Sequence, residues 1–257
     1  VISLDRLCVS YGRRAALHSV SGRFEEGSLT AIAGPNGAGK STLIKAIAGL
    51  LRPSNGGMVI DVASEPCIAY LPQVAEIDRG FPIDVADCVA FGFWPTHGAI
   101  GGLGHTERNR IEIALKAVGL TGLEARPIAA LSSGQFQRVL FARLLVQDAP
   151  VILLDEPFAA MDERTTEHLL AIIAHWHAEG RTVIAVLHDA ALIRAHFPQT
   201  LLLAREMVGW GPTAEVLSDA NWRRAREMAE ASDDDAAPAE PVTPPTAAIR
   251  SLAAAAA

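Results

Sequence analysis

Gly34-Pro35-Asn36-Gly37-Ala38-Gly39-Lys40-Ser41-Thr42 fits the pattern G-x-x-x-x-G-K-[ST] without a mismatch. Glycines at such spacing let successive backbone N–H groups close around phosphate oxygens, and a helix starting there adds partial positive charge. A lysine in the place of Lys40 reaches β- and γ-phosphates, and the Ser41 hydroxyl can hold Mg²⁺. The bland alternative is an ordinary glycine turn ahead of a helix, and the flanking sequence tells against it. Leu29 to Ala33 is an apolar run that reads as a buried strand. Leu43, Ile44, Ile47 and Leu50 then recur at three- and four-residue steps, with Gly49 and Pro53 near the stop. Strand, glycine loop, helix is the setting this chemistry needs, so the chain is expected to bind a nucleoside triphosphate.

Four further places carry residues of the right chemistry. Val151 to Leu154 is a continuous apolar run, as in a central parallel strand, and ends in Asp155-Glu156-Pro157. Asp155 would hold Mg²⁺ through water, and Glu156 would polarise a water for attack on the γ-phosphate. A strand simply ending in solvent would also explain the two carboxylates. Thr182 to Leu187 reads as another buried strand, ending in His188-Asp189, where a histidine can donate to a γ-phosphate and orient water. Gln73 follows the strand Cys67 to Leu71, placed either to reach the metal and the attacking water or to serve only as a loop residue. Leu131-Ser132-Ser133-Gly134-Gln135 opens a helix through Phe136, Val139, Leu140 and Leu144. It reads as a second phosphate-binding helix start or as a plain N-cap. Tyr11, at the end of the first strand, either stacks on a purine or covers the core.

The elements that must position these groups alternate in texture. Strands are expected at Ile2 to Val9, Val20 to Phe24, Leu29 to Ala33, Met58 to Asp61 and Cys67 to Leu71, joined by glycine-bearing turns. From about 74 to 149 helical patterns dominate, with Val85 to Phe91 and Glu107 to Val118, the latter capped by Thr106, and a loop over His97 to Gly104 between them. That region reads as a small helical lobe inserted into a sheet domain. Asp162 caps a helix with the stripe Leu169, Leu170, Ile173 and Trp176, stopped at Gly180. Short strands at 200–203 and 207–210 and a brief helix from Thr213 complete an α/β domain spanning 1–230. Residues 231–257 are rich in Ala, Pro, Asp and Glu and end in five alanines, a composition expected to be disordered.

Bulk properties narrow the function. No run approaches the roughly 18–20 apolar residues that span a bilayer, and no basic segment followed by an apolar one opens the chain, which argues against secretion. Three scattered cysteines (Cys8, Cys67, Cys88) suit reduced thiols, and none of His97, His105, His175 and His177 has metal-ligand spacing. A net charge of −7 argues against nucleic acid as a partner. The chain is expected to be cytosolic, with any membrane link made through a partner.

In chain order the set is the glycine loop, Gln73, Leu131 to Gln135, Leu154-Asp155-Glu156, Asp162 and His188. It strongly resembles the ATP-binding subunit of an ABC transporter, over nearly everything from residue 1 to about 220. The resemblance implies an ABC-type P-loop fold with an antiparallel β subdomain and an inserted helical subdomain. It makes Tyr11 the adenine-stacking aromatic and Gly34 to Thr42 the Walker A loop. Gln73 becomes the Q-loop residue that ligates Mg²⁺ and senses the permease. Ser132, Ser133, Gly134 and Gln135 form the signature, Asp155 and Glu156 the Walker B aspartate and catalytic glutamate. Asp162 belongs to the D-loop, and His188 is the switch histidine. Ser133 stands where the family usually has Gly; because Ser132 and Gly134 are retained, function is expected to survive, with ATP affinity open to change. The resemblance further implies that the signature of one copy closes over ATP held by the other in a head-to-tail dimer. The permease would lie over the helical lobe near Gln73, holding the subunit at the cytoplasmic face of the membrane.

Two stretches are similar to the zinc/manganese importer ATPases: Phe81-Pro82-Ile83-Asp84-Val85, and Gln135-Phe136-Gln137-Arg138-Val139 with Asp155-Glu156-Pro157-Phe158. They imply a divalent metal as cargo and an extracytoplasmic metal-binding protein as indirect partner. Iron-siderophore and cobalamin importer ATPases are the alternative, with a polar or basic residue more often at 136 and Thr at 158. A DNA-repair ATPase would interrupt the domain with long heptad segments, and a translation-associated one would need two glycine loops. Neither feature is present.

Overall fold

The computed structural model describes residues 1–12, 14–62, 68–98, 102–159 and 161–234. In chain order the strands are β1 (Ile2–Tyr11), β2 (Arg14–Phe24), β3 (Leu29–Ala33), β4 (Asn55–Ile60), β5 (Ile68–Leu71), β6 (Val151–Asp155), β7 (Thr182–Val186), β8 (Gln199–Ala204) and β9 (Glu206–Pro212). The helices are α1 (Lys40–Ile47), α2 (Val85–Ala90), α3 (Trp94–His97), α4 (His105–Ala117), α5 (Ser133–Gln147), α6 (Glu163–Ala178), α7 (Ala190–His196), α8 (Thr213–Val216) and α9 (Asp219–Asp234).

A six-stranded sheet in the order β5-β6-β7-β3-β8-β9 forms the centre, parallel except for the β8–β9 hairpin. The apolar runs of β3, β6 and β7 are unbroken because both of their faces are covered. Along β6, Ile152 and Leu154 join the core under the helical lobe, while Val151 and Leu153 join the core beneath α1 and the antiparallel sheet. Because these strands are parallel, the glycine loop after β3, Asp155 at the end of β6 and His188 just past β7 emerge at one edge of the sheet. Ligands bind at that edge in open α/β folds.

The second sheet has the order β2-β1-β4 and is antiparallel. β2 begins at Arg14, earlier than the expected Val20, and β1 continues to Tyr11. Register shifts along the pair, with Arg6 (φ 45°) and Ser19 (φ 51°) in the left-handed region, break the apolar alternation that would have revealed the full length. β4 likewise starts at Asn55, so the expected turn residues Gly56 and Gly57 lie in the strand.

The inserted lobe lies between β5 and β6. Val85, Val89, Ile111, Leu115, Phe136 and Val139 are buried in its core. α5 ties lobe to sheet: the Arg143 guanidinium donates to Tyr70 O (2.6 Å) and the Gln147 amide to Ile68 O (2.9 Å). α4 starts at His105, so Thr106 is not its cap. Glu107 instead folds its carboxylate back to accept from Gly104 N at 2.8 Å. His97 closes α3 and sits edge-on to Phe93, and residues 99–101 of the expected loop lie outside the described residues. Cys67 lies outside them too.

α9 is the element the sequence did not announce. It runs past the expected boundary at 231 to Asp234, and 235–257 lie outside the described residues. Ser218 opens it, its Oγ accepting from Asn221 N at 3.4 Å. Trp222, Ala225 and Met228 pack on the core. That stripe is narrow and interleaved with Arg223, Arg224, Arg226, Glu227 and Glu230, which hid its period.

Candidate functional site

The glycine loop is built for close approach. Gly34, Gly37 and Gly39 have φ of 148°, 74° and 89°. A Cβ on Gly34 would stand 2.1 Å from Leu203 O, and one on Gly39 2.5 Å from Ala16 O, so no other residue fits at either place. The tight β8–β9 turn braces the loop: Arg205 N donates to Ala38 O (2.9 Å), and His18 N on β2 donates to Arg205 O (2.8 Å). Nothing in the sequence of 203–205 signals this support, because these two bonds run between backbone groups.

Lys40 opens α1 and is 6% exposed. Its Nζ donates to Gly34 O (2.9 Å) and Pro35 O (2.8 Å), which holds the ammonium within the curl of the loop. Burial lowers its pKa, while the charges of Glu156 and Asp155 act the other way.

Ser41, Gln73 and Asp155 converge. The Ser41 hydroxyl donates to Asp155 Oδ1 at 3.0 Å, and the Gln73 amide donates to Ser41 Oγ at 3.4 Å. Asp155 is wholly buried, and its Oδ2 has no hydrogen-bond partner among the described residues. A buried, half-satisfied carboxylate beside a hydroxyl, with a glutamine amide adjoining that hydroxyl, supplies the kinds of oxygen donor that Mg²⁺ takes. Lys45 and Glu76, paired at 2.5 Å, flank it. Sequence reading passed over both, although Lys45 lies one helical turn beyond Ser41.

Burial pushes the Asp155 carboxyl up to about 6; Glu156 and Glu76 add to the rise, and the Ser41 bond and Lys45 oppose it. Between the ordinary aspartate value of about 4 and about 6, the folded chain holds a proton that the unfolded chain has lost. The contribution of Asp155 to the stability of the nucleotide-free fold should therefore fall as pH rises through that window and stay constant above it. Asp155→Asn should melt roughly 5 °C higher than the native chain at alkaline pH, the gap closing towards pH ~4. Melting curves across pH, without nucleotide, check this; a gap that does not change with pH would contradict it.

Glu156 follows directly, with φ of 51°, a left-handed conformation unusual for a residue that carries a Cβ. Its backbone N–H donates to Val186 O (3.3 Å), and its carboxylate Oε1 lies 2.6 Å from His188 Nε2. The chain thus brings Glu156 and His188 together across the ends of β6 and β7. The Gln137 amide, on buried α5, donates to Pro157 O at 3.0 Å and links that helix to the segment after Glu156. It too escaped the sequence reading.

Ser132 and Gln135 cap α5 reciprocally: Gln135 N donates to Ser132 Oγ (3.2 Å) and Ser132 N to Gln135 Oε1 (3.0 Å). Ser133 takes helical backbone and is not among the residues with positive φ, so the conformation does not demand glycine there. Gly134 follows in the first turn. No hydrogen bond among the described residues joins 132–135 to the glycine loop, so the two candidate phosphate-binding segments are not linked within one chain. Asp162 caps α6, accepting from Thr165 N and Oγ1 at 2.9 Å, which holds its carboxyl below the usual range. The Tyr11 ring is 54% exposed, so it does not cover the core. Tyr11 pairs with Arg14 two rows beyond Leu17, whose side chain abuts Gly39.

No helix among the described residues is long and apolar enough to cross a membrane. A family profile described as ABC transporter matches residues 17–159. The manganese transport system ATP-binding protein MntB of Listeria monocytogenes is 36% identical over 224 residues, covering 85% of this chain and 92% of that one. The zinc transport system ATP-binding protein TroB of Treponema pallidum is 36% identical over 230 residues, covering 87% and 86%. Among solved structures, a bacterial ABC transporter cassette in dimeric form superposes with a TM-score of 0.74 at 27% identity, covering 83% of this chain and 99% of that one. A match over more than half of the chain, set on this P-loop architecture, makes the chain a member of the ABC transporter family, as one of its ATP-binding, ATP-hydrolysing subunits.

Proposed function

We propose that this subunit powers a membrane permease importing a divalent metal ion, manganese or zinc. The observation that carries the reading is the level of likeness, over most of their lengths, to ATP-binding proteins of manganese and zinc transport systems. The subunit then sits at the cytoplasmic face of the membrane through its permease, which docks on the helical lobe near Gln73. An extracytoplasmic metal-binding protein delivers the ion. The ATPase domain is assigned to about 1–230, with the helical subdomain at 74–149.

The geometry supports the following site roles. Lys40 turns its ammonium from Gly34 O and Pro35 O to the β- and γ-phosphates, while backbone N–H groups from Asn36 to Thr42 that are not bonded within the fold take phosphate oxygens. Ser41, Gln73 and Asp155 hold Mg²⁺, which when bound neutralises charge on those phosphates. Glu156 takes a proton from the attacking water as the bond from γ-phosphorus to the bridging oxygen breaks, releasing ADP and phosphate. His188, held to Glu156 at 2.6 Å, orients that water and the γ-phosphate. Tyr11 stacks on adenine. Ser132, Ser133, Gly134 and Gln135, with Asp162, belong to the face that closes on ATP bound by a second copy.

Uptake of labelled manganese, zinc, ferric siderophore and cobalamin by metal-starved cells tests the cargo. Cells carrying the native chain should accumulate manganese or zinc, and those carrying Glu156→Gln should not. A deficit confined to siderophore or cobalamin would move the subunit to that related class of importer.

A further inference from the structure

Two cavities flank His188. One, of about 560 Å³, lies between α6 and α7 and is lined by Glu156, Glu163, Glu167, Leu192 and His196 as well as His188. The other, of about 730 Å³, lies between the glycine loop and α9 and is lined by Pro35, Asn36, Arg194, Trp222, Arg223 and Arg226, again with His188. Glu163 and Glu167 are one helical turn apart on α6 and share a face. Arg223 and Arg226 are three apart on α9 and share a face in the same way. All four are exposed, and none has a hydrogen-bond or ion-pair partner through its side chain among the described residues. Arg194 differs, since its guanidinium is committed to Leu217 O at 2.7 Å. Asp219 is the acid on the wall of the basic cavity.

Each chain thus carries an unpaired acidic pair on one side of its catalytic rim and an unpaired basic pair on the other. That arrangement is self-complementary under a two-fold axis: the acids of one copy meet the arginines of the other, twice. The basic cavity also shares Pro35, Asn36 and His188 with the face on which a second copy closes, so it continues that interface. We propose that Arg223 and Arg226 of α9 clamp the ATP-bound dimer by pairing with Glu163 and Glu167 of the second copy. The proposal rests on the head-to-tail dimer. The clamp forms only in the closed state, so it slows opening and makes dimer lifetime sensitive to salt.

The test uses the full chain carrying Glu156→Gln with Mg-ATP, followed by sedimentation velocity. Two charge reversals are made on it, Arg223→Glu/Arg226→Glu and Glu163→Arg/Glu167→Arg. Each alone should need about tenfold more protein to dimerise, because like charges then face one another at both contacts. Mixed together they should dimerise like the parent, since the heterodimer regains both opposite-charge contacts. The neutral pair Arg223→Gln/Arg226→Gln should weaken the dimer less and flatten its salt dependence. Either reversal dimerising normally by itself, or a mixture that fails to dimerise while ATP affinity and melting match the parent, overturns the clamp. A parent chain that stays monomeric with ATP overturns the dimer itself, and the clamp with it.

Discussion

Glu156→Gln is expected to bind ATP with native affinity and to lose turnover by roughly 10²–10⁴-fold, the usual contribution of a positioned general base. The amide is nearly isosteric with the carboxylate, so the left-handed backbone at φ 51° and the approach to His188 Nε2 can persist. What vanishes is the ability to take a proton from water. The carboxylate is also the group aimed at the site by structure that has little other purpose: a strained φ, a backbone bond to Val186 O, and a histidine at 2.6 Å. Steady-state phosphate release and a direct nucleotide titration separate the two effects. Native turnover would remove Glu156 from the role of base, and loss of both turnover and binding would make it a structural residue.

Lys40→Ala should weaken ATP binding by about 10–100-fold, the loss of charge-assisted bonds to phosphate being of order 1.5–3 kcal/mol. The nucleotide-free fold should change much less. Lys40 Nζ donates to Gly34 O and Pro35 O, but burial disfavours its charge, so those two effects oppose one another. Calorimetric titration with ATP and melting without it give the two numbers. Unchanged affinity would count against the loop as the triphosphate cradle.

How far the sequence carried the site depended on whether a group acts through its side chain or its backbone. The glycine loop, Asp155-Glu156 and His188 were legible because each follows a strand-length apolar run, which the structure shows to be a parallel strand covered on both faces, and parallel strands end on one edge. The brace at Arg205 was not legible, since its bonds to Ala38 O and from His18 N are independent of side-chain type. Gln137 and the Lys45–Glu76 pair are ordinary polar residues until packing sets them beside Pro157 and Asp155. In the fold, β2 was read too short where bulges broke its alternation. A threonine ahead of a helical pattern signals a cap, but α4 begins at His105 and the capping bond runs from Gly104 N to Glu107. α9 was obscured because charged residues separate the three that touch the core. Tyr11 stayed open between two roles, and its exposure removes only the one that covers the core.

One chain holds a glycine loop and a Ser132–Gln135 helix start with no hydrogen bond between them among the described residues, and the hydrolytic unit proposed above is two copies. The most direct test is the mass and nucleotide content of Glu156→Gln after mixing with Mg-ATP and removing free nucleotide. The expected result is a species of two chains holding two unhydrolysed ATP molecules, absent when Lys40 is also replaced. A single chain retaining one ATP, with no dimer at any protein concentration, would contradict it.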